Sequence, residues 1–217
     1  MAAAAKAKGY AFYGITDHSK SQVIAHGLSA NDLLAHVKAI RKIGDSIKGI
    51  KLLAGCEVDI LADGSLDYED AVLAELDYVV ASPHVSLKQE PAKATDRLLR
   101  AIDNKYVKIV GHPTGRLIGA RAGLSPDFEK LFAAAAAAGV AMEINAGWPR
   151  LDLSDNNARA AHAAGVKLSI NTDAHSIEGL DGMFLGAAVA RRAGLEAKDV
   201  INCMTAAKAV EWLTRKR

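Results

Sequence analysis

Six short apolar runs recur along the chain, each followed by a longer helix-like stretch. They span 11–17 (AFYGITD), 51–60 (KLLAGCEVDI), 77–84 (DYVVASPH), 107–113 (VKIVGHP), 140–146 (VAMEINA) and 166–175 (VKLSINTDAH). Several are nearly continuous in apolar character, as expected of parallel strands covered on the outside by helices. The alternation restricts the fold to the α/β class with a parallel sheet. Periodicity alone does not choose between an open sheet and a barrel.

The intervening helices have readable ends. Ser29 stands as N-cap with Asp32 three residues on, close to a capping box. Ser125 is expected to cap a helix with Pro126 at its first position and Gly139 as its stop. Ser154 to Gly165 repeats the scheme, and Ala2–Ala5 read as part of a helix. The 217 residues show no linker rich in Pro, Gly or Ser, so one domain, 1–217, is expected. Half the residues are hydrophobic and 5% are aromatic, so aliphatic side chains must fill the core.

Each apolar run stays apolar until its C-terminal end, where His, Asp or Glu appears. His18, Glu57, His84, His112, Asp173 and His175 stand at five such ends. The carboxyl ends of parallel strands are where α/β folds build their sites. If 166–175 is extended throughout, Asp173 and His175 project the same way. Imidazole and carboxylate are divalent-metal ligands, and six of them exceed what one tetrahedral ion needs. Glu57, with two oxygens, is expected to bridge a pair of ions. Asp17 and Asp59 are candidates for hydrogen bonding to these ligands, with helix caps or loop carboxylates as the equal alternative. His36 and His162 fall inside helices as ordinary surface or packing residues, and His26 lies on the same rim.

Other chemistries find no support. GxxxxGK[ST], GxGxxG and GxSxG are all absent. The net charge of +2 does not mark a strongly basic nucleic-acid binder. No apolar run approaches the roughly 18 residues of a membrane span. Cys56 and Cys203 form no CxxC pair; a reduced, cytoplasmic protein with Cys56 buried is the simplest expectation.

The strings ITDHSKS, GCEVDILADGSLDYED, ASPHVS, GHPTGRL, RLDLSDNNARAA, INTDAHSIEGLDGM and GAAVARR resemble the polymerase and histidinol phosphatase (PHP) family. Within it they look like the PHP domain of bacterial family X DNA polymerases. The resemblance runs from about residue 9 onward. It implies a distorted (βα)7 barrel of TIM-like form, one to three Mn²⁺ or Zn²⁺ ions, and Mn²⁺-dependent 3′→5′ exonuclease or related phosphoesterase activity. It also implies the ligand sets: Glu57, His84 and His112 at one ion, Glu57 and Asp173 at a second, His18 and His175 at a third. The family's first strand, which ends in an HxH pair, has no counterpart in these residues. The neighbouring strand at 11–17 is therefore expected to be an open edge, prone to homodimerisation.

The resulting expectation is metal-assisted hydrolysis of phosphoesters, with DNA ends or small phosphate esters as substrate. Glu57 would position the ions, and Asp173 would hold one and take a proton from water. Arg116 would clamp a phosphate oxygen bidentately, and Lys20 would serve as a point charge. Arg191, Arg192 and the terminal TRKR read as solvated cations. Two alternatives stay open: an accessory module with an incomplete metal cluster, and a histidinol-phosphate-type phosphatase.

Overall fold

A computed structural model describes all of residues 1–217. The strands are β1 (Phe12–His18), β2 (Lys51–Asp59), β3 (Tyr78–Ser82), β4 (Val107–Val110), β5 (Ala141–Asn145) and β6 (Leu168–Asn171). The helices are α1 (Ala2–Ala7), α2 (Ala30–Ser46), α3 (Asp70–Leu73), α4 (Pro91–Asp103), α5 (Phe128–Ala138), α6 (Asp155–Ala163), α7 (Met183–Ala193) and α8 (Ala206–Thr214). All six strands are parallel and lie in sequential order from β1 to β6. They form a curled half-barrel, the TIM-like PHP architecture expected.

Alternation along the strands sorts side chains between two layers. Ala54, Cys56, Val58, Val79, Ala81, Met142 and Ile144 belong to a cluster of 37 buried residues that includes α2, α4, α5 and α6. Their neighbours Leu53, Tyr78, Val80, Ile109 and Ala141 line the concave face, where Ile201 and Leu213 of the C-terminal segment join them. Tyr78 fills the foot of this face across two glycines. A Cβ on Gly14 would sit 1.9 Å from the Tyr78 hydroxyl, and one on Gly55 would sit 2.7 Å from its ring. Two residues further along the same parity, on β2, the apolar floor gives way to Glu57.

The two sheet edges end differently. Beyond β6, Asn202 accepts from the Ile170 N–H and donates to the Ile170 carbonyl, both at 2.7 Å, so a side-chain amide stands in for a strand. β1 pairs with β2 alone.

Local capping follows the sequence with one exception. Ser29 accepts from the Asp32 N–H and Ser154 from the Asn157 N–H. Gly139 closes α5 in the left-handed region at φ 63°. The start of α5 is not where Ser125 and Pro126 suggested: Asp127 is the N-cap, accepting from Lys130 N–H. Its own N–H donates to Thr95 Oγ1 at 2.8 Å, which ties the start of α5 to α4. The terminal cations are also less solvated than expected. Lys216 and Arg217 donate to carbonyls of Ala74, Ala138 and Ile102. Two of these carbonyls lie in the last turns of α5 and α4, where cations are favourable. Arg192 pairs with Asp155 at 2.9 Å.

Candidate metal centre

Glu57 is the centre of the site. Strand register sets His18 of β1 directly beside it. Its Oε2 lies 3.5 Å from His18 Nδ1, and its Oε1 lies 3.4 Å from His84 Nε2 and 2.8 Å from His112 Nε2. The imidazoles follow one another around the carboxylate. Ring centroids are 5.2 Å apart for His18–His84, 4.9 Å for His84–His112 and 5.7 Å for His18–His175. Ligand atoms of His18, Glu57 and His84 lie within 4.8 Å of one another. This group could hold a metal ion.

Burial and hydrogen bonding set the charges. Burial alone raises the Glu57 pKa, but the hydrogen bond with His112 and the close approach of His84 outweigh it and hold the group well below the ordinary carboxylate value. Burial lowers the His84 pKa, yet the bond to Asp59 and the nearby Glu57 charge override it and raise it to about 9. His18 goes the other way: desolvation dominates and its pKa falls. His18 Nδ1 and His84 Nε2 are buried and have no hydrogen-bond partner. Buried polar atoms without partners are uncommon and call for a missing group. Nitrogen lone pairs beside an anionic carboxylate fit a divalent cation.

Two of the buried candidate ligands, His84 and His112, are braced from behind. The fully buried Asp59 contacts His84 Nδ1 and accepts from Ser21 and Gln22. That keeps Nδ1 toward Asp59 and leaves Nε2 as the nitrogen facing Glu57, the one that would give up its proton to a metal. Of the alternatives open for Asp59, the structure places it against His84, a candidate ligand. Asp17 instead pairs with His36 Nδ1 of α2 at 2.7 Å, which gives that helical histidine a partner. His162 stands 3.8 Å from Asp199, and His26 is exposed in the loop after β1.

A second carboxylate, Glu143 on β5, was not foreseen. It is buried beneath His112. Its Oε2 accepts from His112 N–H at 2.6 Å and from Asn145, and its Oε1 from Asn171 at 2.7 Å. Burial lifts its pKa to about 7. Asp152 supports the same turn, accepting from Thr114 N–H, Thr114 Oγ1 and Gly115 N–H between 2.8 and 3.0 Å. His112, in the left-handed region at φ 23°, is thus held by two buried carboxylates. The signal available was a charged residue inside the apolar AMEIN run, which has no place in a covered strand unless it is paired.

Two expectations need correction. β3, β4 and β6 end at Ser82, Val110 and Asn171, so His84, His112, Asp173 and His175 stand in the loops just beyond. Asp173 and His175 are therefore not brought together by strand alternation, since Asp173 adopts φ 52° and breaks the extended backbone. They meet through a turn, with His175 Nδ1 2.8 Å from the Asp173 carbonyl oxygen. Both lie outside the tight three-residue group. Asp173 Oδ2 receives Asn145 Nδ2 at 3.1 Å and lies 3.4 Å from Arg150 Nε, while the His175 side chain is 68% exposed. Arg116 stands in the loop after His112, where its Nε donates to the Arg150 carbonyl at 3.1 Å and its Nη2 to that of Leu151. Lys20 is exposed, with Nζ 5.8 Å from the Tyr68 ring centroid.

Comparison with known proteins agrees with this geometry. Residues 1–147 match the model of the PHP domain. The chain is 44% identical over 215 residues to the DNA polymerase/3′-5′ exonuclease PolX of Bacillus subtilis (strain 168), covering 99% of this chain. It spans only 38% of that relative's length. It is 30% identical over 222 residues to a probable phosphatase of Thermoanaerobacter sp. (strain X514), of which it covers 84%. The crystal structure of histidinol phosphate phosphatase from Lactococcus lactis, complexed with zinc, L-histidinol and phosphate, superposes with a TM-score of 0.58. That likeness covers 90% of this chain and 86% of the other at 14% identity, and so shows the shared fold. With its strand order, its histidines gathered around Glu57 and these relatives, the chain belongs to the PHP family.

Proposed function

We propose that this chain is a metal-dependent phosphoesterase acting on phosphodiesters at DNA ends. The observation that carries the reading is the anionic Glu57 set among His18, His84 and His112, with the buried His18 Nδ1 and His84 Nε2 facing it without hydrogen-bond partners. The relative named as a 3′-5′ exonuclease supports DNA as the substrate, and the zinc-bound histidinol phosphatase supports metal as the cofactor.

His18, Glu57 and His84 would hold a divalent ion, Mn²⁺ or Zn²⁺, with His112 beside the same Glu57 oxygen as His84. Such an ion supplies Lewis-acid activation of water and charge neutralisation at phosphate. The chain's own residues do the rest. Asp59 and Glu143 keep His84 and His112 oriented. Asp173 retains Oδ1, the oxygen not engaged by Asn145 or Arg150, to bind a further ion or take up a proton. Lys20 and the Arg150 guanidinium add positive charge at the rim, where a phosphate must enter; Arg116 holds the loop that carries Arg150. The open edge of β1 is where a further strand would add, including one from a second copy.

A second reading, a phosphatase of small phosphomonoesters, draws on the probable phosphatases that the chain spans over most of their length. One experiment separates the two. EDTA-stripped protein is given Mn²⁺ or Zn²⁺ with a single-stranded oligonucleotide or with L-histidinol phosphate. Mononucleotide release from the oligonucleotide is expected. Turnover of histidinol phosphate alone favours the second reading, and no hydrolysis with either substrate overturns the phosphoesterase assignment.

A further inference from the structure

Every exposed large hydrophobic side chain except Met1 and Ile43 lies on a strand-to-helix connection, or the helical turn after one, at the metal end of the barrel. Ile118 and Trp148 come together there, the Ile118 N–H donating to the carbonyl of Pro149 beside the indole. Trp148 is the largest and is 69% exposed. Its loop follows β5 and packs on a candidate ligand. A Cβ built on the preceding Gly147 would lie 4.0 Å from Asp173 Cβ, and Arg150 Nε lies 3.4 Å from Asp173 Oδ2.

The loop is bound on all sides. Gly147 N–H donates to Asn145 Oδ1 at 2.9 Å, Arg150 N–H to the Gly147 carbonyl at 2.8 Å, and Ile118 N–H to the Pro149 carbonyl at 2.8 Å. Arg116 donates to the carbonyls of residues 150 and 151. An indole held on so constrained a loop, yet left in water, has no packing role in the core. Its surroundings are cationic: Arg116, Arg121 and Arg150 lie within this pair of loops, and Asp173 is the one acid in contact with them besides the buried Asp152. Aromatic faces beside guanidinium groups suit a polyanion that carries flat bases.

We propose that Trp148 is a stacking platform for an unpaired nucleobase next to the scissile end of a single-stranded nucleic acid. The Arg116, Arg121 and Arg150 loops attract the phosphates on the same side. The inference rests on the phosphodiester reading above and adds the part of the substrate that is recognised. It predicts a preference for base-bearing single strands over abasic chains of equal charge.

The test is binding of a phosphorothioate-linked oligothymidylate, which resists hydrolysis, with Mn²⁺ present and tryptophan fluorescence as readout. Trp148→Phe serves as the reference, because Trp212 remains in it. The wild type should show quenching that Trp148→Phe lacks, with affinity retained in that variant. Trp148→Ala should bind about tenfold more weakly. An abasic oligomer of the same length should bind wild type and Trp148→Ala equally and without quenching. Equal affinity of wild type and Trp148→Ala for oligothymidylate overturns the proposal, as does equal weakening on the abasic chain or no binding at all. Stacking without any hydrolysis of the unmodified oligomer removes the phosphodiesterase reading and leaves Trp148 as a base-binding platform without a scissile end. Hydrolysis with an indifferent Trp148→Ala does the reverse.

Discussion

The candidate centre has two unlike halves. Glu57, His84 and His112 stand on or just beyond the central strands β2, β3 and β4, with side chains at most 10% exposed. Asp59 and Glu143 fasten the two imidazole-bearing segments from below. Asp173 and His175 follow the outermost strand β6, and His18 ends the opposite edge β1. There the His175 ring is mostly in water and Asp173 is engaged by a neighbouring arginine. The contrast teaches that central strands preorganise ligands, because neighbours on both sides exclude water and supply fixed partners. Edge positions gather ligands without fixing them. A first ion should therefore bind to the central half with His18, and any further ion should depend on the edges.

The largest effect should come from breaking the central half. His84→Ala or Glu57→Gln is expected to lower first-ion affinity more than about 100-fold, beyond the range for losing a supporting partner. Isothermal titration with Zn²⁺ checks it, and an unchanged isotherm would remove the assignment. The His84 proton gives a second handle. With its pKa raised to about 9, metal must displace that proton at neutral pH. Apparent affinity should climb about tenfold per pH unit from 7 and level off above about 9. The same proton stabilises the metal-free protein fully below the ordinary histidine value near 6.5, and that contribution disappears as pH rises through about 9.

Removing a brace should cost less than removing a ligand. Asp59→Asn is expected to weaken the first ion about 10- to 100-fold without unfolding the chain, read by the same titration alongside circular dichroism. Glu143→Gln places an amide NH₂ against donors that now point at carboxylate oxygens. The unfolding midpoint in urea should fall by an amount equal to about 1–3 kcal/mol, and an unaltered midpoint would remove the bracing role of Glu143. His175→Ala should be the mildest. First-ion affinity is expected to stay within about threefold, since the side chain is largely solvated and contributes no fixed geometry. A loss as large as that of His84→Ala would erase the distinction between the halves.

The two halves were also unequally legible in the sequence. Glu57 is on a continuous apolar strand, and His84 and His112 come just after two others. Strand ends were visible, because the apolar runs stop where polar ligands begin. The Ser29 and Ser154 caps were readable for a similar local reason: one side chain meets one backbone N–H. Asp173 and His175 were assigned correctly to the rim but for the wrong geometric reason, because a positive φ at a non-glycine residue leaves no pattern in sequence. Glu143 was overlooked because its partners, His112, Asn145 and Asn171, come from three segments that only the folded sheet brings together. The contacts of Arg116 were hidden for the same cause: its proximity to His112 along the chain said nothing of the Arg150 and Leu151 carbonyls that accept from it.

The most direct test is a crystal soaked in Zn²⁺ and measured at the zinc absorption edge. An anomalous peak within about 2.0–2.2 Å of a Glu57 carboxylate oxygen and His84 Nε2 is predicted. Zinc-free density between His18, Glu57 and His84 in a crystal that binds zinc elsewhere would contradict the account.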